Sequence, residues 1–268
     1  PATPRRRSCS RSPIAALISA TLLVAMMLAS PMRAEAELTA GWSCYPDQAW
    51  FLTDPGTYLA LTGGWGSGKS MIARRKGILC SAQNPGSAGM IVLPTYRMLR
   101  DLMWRQFQRE CIDAGVEFEV HKSDMEVYFP WWDHLVMFRS ADRPERLEGH
   151  DIAWAIIDEA DQTPPEIHEK VLSRVRDPRA ERLFYGVTGT PAMGWLEPLC
   201  DGPDAFFEWR SMDTRENLDL PGVMVDALVS QLNPRKAKAY LAGQFVDLYA
   251  GQCYDDFDAE EHVRQVGA

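Results

Sequence analysis

Residues 63 to 70 read Gly63-Gly64-Trp65-Gly66-Ser67-Gly68-Lys69-Ser70, and no other run constrains the fold of this chain as strongly. It satisfies GxxxxGK[ST] at every defined position. An apolar stretch, Tyr58–Thr62, precedes it, and an amphipathic one, Lys69–Cys80, follows. Strand, glycine-rich turn and helix in that order is the setting in which the motif has a physical reason: glycines let backbone N–H groups curl round phosphate oxygens, and the helix N-terminus adds positive potential. The lysine then reaches the β- and γ-phosphates and the serine hydroxyl binds Mg²⁺. Gly63 through Ser70 are therefore expected to cradle ATP. A glycine-rich turn with a chance lysine is the alternative, and the flanking elements disfavour it.

Two further motifs point into the same crevice. Trp154-Ala155-Ile156-Ile157-Asp158-Glu159-Ala160-Asp161 is an apolar strand ending in acids. In a P-loop fold such a strand lies near the first, so Asp158 is expected to hold the Mg²⁺ shell and Glu159 to polarise the attacking water. Val187-Thr188-Gly189-Thr190-Pro191 ends another apolar strand, and open α/β sheets bind ligands at the carboxyl ends of their strands. Thr188 and Thr190 are candidates for sensing the γ-phosphate; alone, the segment reads as a Gly-Pro turn.

Short β-branched runs alternate with amphipathic stretches from residue 56 onward, which predicts an α/β fold with a mainly parallel sheet flanked by helices. Strands are expected at Tyr58–Thr62, Met90–Leu93, Glu126–Phe129, His134–Arg139, Trp154–Asp158, Leu183–Thr188 and Phe206–Arg210. Helices are expected at Lys69–Cys80, Tyr96–Ala114, Pro165–Val175, Gly222–Leu232 and Arg235–Leu241. In the second of these Leu99, Leu102, Met103 and Phe107 fall toward one side. Trp131-Trp132 reads as a hairpin or core feature.

Charge and cysteine usage narrow the class. Residues 1–36 carry five Arg and one Glu, so residues 37–268 hold 23 basic and 36 acidic groups, net −13. So acidic a body argues against general coating of duplex DNA, whose non-specific binding comes from Lys and Arg neutralising phosphates. The six cysteines form no CxxC pair, and the five histidines form no HExxH or triad arrangement, so disulfide, zinc and His-hydrolase readings have no support. Arg5-Arg6-Arg7, an apolar stretch from Ile14 to Ser30 and Ala34-Glu35-Ala36 have the parts of a secretory leader. A membrane span is the weaker reading at 17 residues. Because the chemistry needs ATP, residues 1–36 are read as a non-functional leader-like or untranslated segment, with Met32 the native start.

These motifs, in this order, resemble the ATPase domain of tailed-phage terminase large subunits, the motors that package DNA into proheads. The resemblance runs from Pro46 to Val263. Pro46-Asp47-Gln48 resembles that family's adenine-recognising Gln segment, and Leu93-Pro94-Thr95-Tyr96-Arg97 the segment after its second strand. Arg139 to Gly149 resembles the loop before its acidic strand, Thr188-Gly189-Thr190-Pro191 its coupling motif, and Tyr240 to Phe245 the end of its ATPase domain. The resemblance implies a RecA-like P-loop NTPase of the additional-strand, catalytic-Glu type over residues 37–250, with ATP and Mg²⁺ as cofactors. It implies double-stranded DNA, a portal protein, a small terminase subunit and a homo-oligomeric ring on the procapsid as partners, in the host cytoplasm and transiently at the portal vertex. Residues 251–268 read as the start of a linker toward a nuclease domain, their acids 255–261 as solvated, and no nuclease activity is expected from them.

One departure matters. Many members carry Arg within the P-loop where this chain has Trp65, so the candidates for a charge-stabilising arginine become Arg139, Arg143 and Arg146. Arg143 and Arg146 are preferred as fingers acting on a neighbouring subunit's ATP, since Arg139 ends a strand. Two rivals remain. Asp158-Glu159-Ala160-Asp161 suggests a superfamily-2 helicase, for whose second RecA-like domain the 77 residues after Pro191 are few. An exported binding protein with an incidental P-loop requires a working leader and no ATP binding.

Overall fold

A computed structural model describes residues 41–191 and 194–246; the leader-like segment, residues 251–268 and the acids 255–261 lie outside the described residues. One eight-stranded sheet organises the chain, in the order β3-β4-β5-β2-β6-β7-β1-β8. Its strands are β1 Tyr58–Gly63, β2 Ala88–Leu93, β3 Glu119–His121, β4 Glu126–Phe129, β5 His134–Ser140, β6 Trp154–Ile157, β7 Phe184–Gly189 and β8 Glu208–Met212. From β5 to β8 every neighbouring pair is parallel, and β4 and β3 add antiparallel pairing at one edge.

The central strands are continuous apolar runs because both faces of the sheet are covered. β1, β2, β6 and β7 are buried almost throughout, whereas β4, nearer the edge, alternates buried and half-buried residues. One face carries α1 (Pro46–Thr53), α2 (Lys69–Gln83) and α3 (Arg105–Asp113), packed through Phe51, Ile72, Ile78, Phe107 and Trp154. The other carries α4 (Pro165–Leu172) and α5 (Leu196–Asp201), packed through Ile157, Ile167, Val171, Tyr185 and Leu196. Each fully buried Leu, Ile or Phe stabilises the fold by about 1.5–3 kcal/mol. Two short helices, α6 (Gly222–Gln231) and α7 (Pro234–Tyr240), follow β8; α6 buries no residue and α7 only Ala239.

All seven expected strands form, and the differences have local causes. The last begins at Glu208 rather than Phe206, because Phe206 and Phe207 turn inward onto His168 and donate their N–H groups to the Leu199 carbonyl. The expected helix from Tyr96 is interrupted by a π-helical turn, Leu99–Trp104, which brings Leu99, Met103 and Trp104 into the core and leaves Leu102 56% exposed, not on the buried side. The helix from Pro165 stops at Leu172, three residues early. Trp131-Trp132 forms the β4–β5 hairpin turn, with Trp132 packed on Phe129. Helices α1 and α5 and the edge strand β3 are additions to the sequence reading.

Candidate nucleotide site

The glycines of the loop after β1 are conformational requirements. Gly66 and Gly68 lie at φ +78° and +93°, the left-handed region where a side chain is strained. A Cβ at Gly64 would run into Thr214 Oγ1 and the Tyr240 and Leu241 carbonyls. The loop divides into two halves. Its outer half is tied to the chain after β8: Gly64 N–H donates to Met212 O (3.2 Å) and Trp65 N–H to Tyr240 O (2.8 Å). Thr214 Oγ1 donates to Trp65 O (3.0 Å) and Asn217 Nδ2 to Gly66 O (2.7 Å). The Trp65 ring, 44% exposed, stacks on Tyr240 at 4.1 Å and 12°. The inner half is left for an anion. The N–H groups of Gly66, Gly68, Lys69 and Ser70 take no partner among the described residues, the last two because they open α2.

Lys69 is buried and folds back across the loop, where Nζ donates to Gly63 O (2.8 Å), Gly64 O (3.1 Å) and Thr190 Oγ1 (3.4 Å). Ser67 Oγ donates to Gly64 O. Gln48 reaches the loop from α1: its Oε1 accepts the Tyr45 N–H (3.1 Å) and its Nε2 donates to Ser67 O (3.0 Å). The amide oxygen thus caps the N-terminus of α1 and the amide nitrogen ties that helix to the P-loop, and Gln48 itself is 1% exposed. Beside it opens a small cleft lined by Tyr45, Pro46, Asp47, Ser67, Glu216 and Asn217 among others. Tyr45, Glu216 and Asn217 carried no sequence signal; of this lining only Pro46 and Asp47, in the motif before β1, and Ser67, in the P-loop, did.

The strand order joins the three sequence motifs. β7 lies between β1 and β6, so the P-loop, the Thr188–Thr190 segment and the acids leave the same edge as neighbours. Thr188 Oγ1 donates to buried Asp158 Oδ1, and Thr190 N–H donates to Asp161 Oδ1 (3.0 Å). Glu159 lies between these ties at φ +56° and accepts from Gln162 Nε2 (3.1 Å). Burial pushes its carboxyl up to about 7; Lys69 opposes this and the charges of Asp158 and Asp161 add to it. Burial likewise pushes Asp161 up to about 6, against the Thr190 N–H. Asp161 was not among the residues expected to form the site.

The arginines separate. Arg139 is held by the sheet, with Nη2 on Glu126 Oε1 at 2.6 Å. Arg143 and Arg146 are exposed, with no ion pair among the described residues, and Arg143 lies over the Tyr96 ring at 5.6 Å. Their loop follows β5, four strands from β1, which is about 19 Å at the usual interstrand spacing. His134 and His168 are core residues, the first between Asn84 O and the Trp154 indole, the second on the Tyr185 hydroxyl. No group of three or more His, Cys, Asp and Glu suited to a metal occurs among the described residues, and no described helix is long and apolar enough to cross a membrane.

Comparison with solved structures gives the same fold. The ATPase domain of the large terminase of Thermus phage P74-26 superposes with a TM-score of 0.62 at 18% identity, over 79% of this chain and 97% of that one. The large terminase of a thermophilic bacteriophage gives 0.65 at 18% identity over 87% of this chain, and that of bacteriophage HK97 gives 0.52 at 12% over 66%. These matches span 57% and 41% of the two large terminases, so this chain corresponds to about half their length. The thermophilic phage protein has been solved with ADP and with ATP-gamma-S. No curated protein matches in sequence. The family model of the phage terminase large subunit matches residues 56–197, from the turn before β1 through the P-loop, the acids and the threonine segment into α5. A match over more than half of the sequence, carrying all three motifs, places this chain in the phage terminase large subunit family.

Proposed function

We propose that this chain hydrolyses ATP as the motor part of a terminase large subunit and drives double-stranded DNA into a procapsid. The observation that carries the proposal is the convergence of Lys69, Thr190 and the Asp158–Glu159 pair on one edge of the sheet, linked through Lys69 Nζ–Thr190 Oγ1 and Thr188–Asp158. The free N–H groups of Gly66, Gly68, Lys69 and Ser70, beside a lysine head resting on carbonyls, suit a polyphosphate. In the working enzyme Lys69 exchanges the Gly63 and Gly64 carbonyls for phosphate oxygens. Ser70 and Asp158 would hold Mg²⁺, which when bound neutralises charge developing on the phosphoryl oxygens. Glu159 orients water and takes its proton, a task suited to a carboxyl near 7. Thr188 and Thr190 register the γ-phosphate, and the nucleoside end occupies the cleft between Asp47 and Asn217, with Gln48 bracing the loop beside it.

Arg143 or Arg146 acts on the ATP of a neighbouring subunit, since about 19 Å of sheet separates their loop from the P-loop's strand. On this reading the subunits form a ring, mounted on the portal protein and supplied with DNA by the small terminase subunit, in the host cytoplasm. The test is phosphate release with and without duplex DNA and portal-bearing procapsids. Hydrolysis should accelerate when both are present, with ATP-dependent protection of the DNA from nuclease. A rate indifferent to both, with no protection, would overturn the packaging assignment while leaving an ATPase.

A further inference from the structure

Backbone pairing between β6 and β7 ends at Ile157 and Val187. Beyond that point the two strands are held together by side chains: Asp158 to the Thr188 hydroxyl, and Asp161 to the Thr190 N–H. Glu159 lies between the two ties, in a left-handed conformation that a non-glycine residue keeps only where neighbours over-determine it. Upstream, the Asp158 N–H is fixed on Val92 O. Downstream, the 3₁₀ turn Ala160–Gln162 closes on itself through Gln162 N–H to Glu159 O and Thr163 N–H to Ala160 O. Of these contacts only the Asp161 carboxylate joins that turn to β7.

We propose that Asp161 is a positioning residue: by holding the Thr190 N–H it locks the acid turn to the coupling strand and sets Glu159 in its working place. This rests on the reading of Glu159 as the group that activates water. Two observations support the lock independently of that reading. A Cβ built on Gly189 falls 2.6 Å from Asp161 Oδ1, with its other neighbours at ordinary contact distance, so the missing side chain at 189 is what lets the carboxylate approach. Thr190 also receives Lys69 Nζ on its hydroxyl, so one residue touches both the phosphate-binding lysine and the turn that carries Glu159. A change at Lys69 on nucleotide binding is thereby felt at Glu159 through Thr190 and Asp161.

The test is a double-mutant cycle in the full chain, reading kcat and KM for ATP together with ADP affinity by calorimetry. Asp161→Ala should lower kcat about tenfold and leave KM and ADP affinity within about twofold, because a positioning residue acts on the chemical step and not on ground-state binding. Asp161→Asn, whose amide oxygen accepts the same N–H, should keep kcat within about threefold of wild type. Gly189→Ala should lower kcat about tenfold by displacing the carboxylate, and cost nothing further in the Asp161→Ala background, where the clash is gone. Strictly additive losses, an Asn variant as slow as the Ala variant, or a rise in KM at unchanged kcat would each overturn the proposal. Glu159→Gln measured alongside separates the two readings: wild-type turnover there would remove Glu159 as the base, while the Gly189–Asp161 cycle would still report the lock.

Discussion

A one-to-one mixture of Glu159→Gln and Arg143→Ala subunits, or of Glu159→Gln and Arg146→Ala, should hydrolyse ATP far faster than either protein alone. The first variant presents an intact arginine loop but cannot turn over; the second has an intact site but offers its neighbour no finger. Within one subunit the loop leaves β5 four strands from β1, about 19 Å, and Arg143 rests on Tyr96 beyond β2, so the loop starts well away from its own Lys69 and is offered to a neighbour instead. The P-loop offers no substitute, since Trp65 occupies the place of a loop arginine and stacks on Tyr240. An arginine finger contributes about 10³–10⁵ in rate, so each variant alone should be nearly silent. In a randomly mixed ring with head-to-tail interfaces, about one interface in four pairs a competent site with an intact loop, and the mixture should recover roughly a quarter of the wild-type rate. The assay is phosphate release at increasing total protein, where wild type should also show a rate per subunit that climbs with concentration. A mixture that never exceeds the mean of its parts, with rates independent of concentration, would refute trans action and make these arginines structural or cis-acting.

Three other perturbations follow from the packing. His134 is fully buried with Nδ1–H on Asn84 O and Nε2 accepting the Trp154 indole, and burial holds its pKa down at about 4. The unfolded chain therefore binds a proton that the fold excludes, so stability present above pH 6.5 should fall by up to about 3 kcal/mol as pH drops toward 4, and a denaturant midpoint flat across that range would contradict this. Gly89→Ala drives a Cβ into the Trp154 indole, which is anchored to His134; chemical denaturation should show a loss of about 2–4 kcal/mol, and an unchanged midpoint would mean the tryptophan moves freely. Deleting residues 1–31 should leave ADP affinity within about twofold by calorimetry, because among the described residues the first to line the cleft is Tyr45; loss of the soluble fold would show that the leader-like segment is structural.

The candidate nucleotide site was legible because its parts are local signals with fixed stereochemistry. Gly66 and Gly68 adopt the left-handed angles for which the motif needs glycine, and an apolar run ending in two acids reads as a central strand whichever neighbours it acquires. What was not legible depends on pairings between distant segments. Nothing near residue 217 marks Asn217 as a brace for Gly66, and Tyr240 becomes the platform for Trp65 only because α7 ends against the loop. Asp161 has no role of its own in the acidic motif until Thr190 and Gly189 are brought beside it. The π-helical turn escaped for a different reason: Leu99, Leu102, Met103 and Phe107 fit an ordinary amphipathic helix, and only core packing chose the register that turns Leu102 outward.

In the proposed function this edge of the sheet binds ATP through the P-loop and hydrolyses it through Glu159. The most direct measurement pairs ATP-binding calorimetry with phosphate release for wild type, Lys69→Ala and Glu159→Gln in the presence of Mg²⁺. Wild type should bind and turn over, Lys69→Ala should lose both, and Glu159→Gln should bind ATP within about threefold of wild type while its turnover falls at least about a hundredfold, since only water activation is removed. Turnover by Glu159→Gln near the wild-type rate, or ATP binding unaffected by Lys69→Ala, would contradict the account.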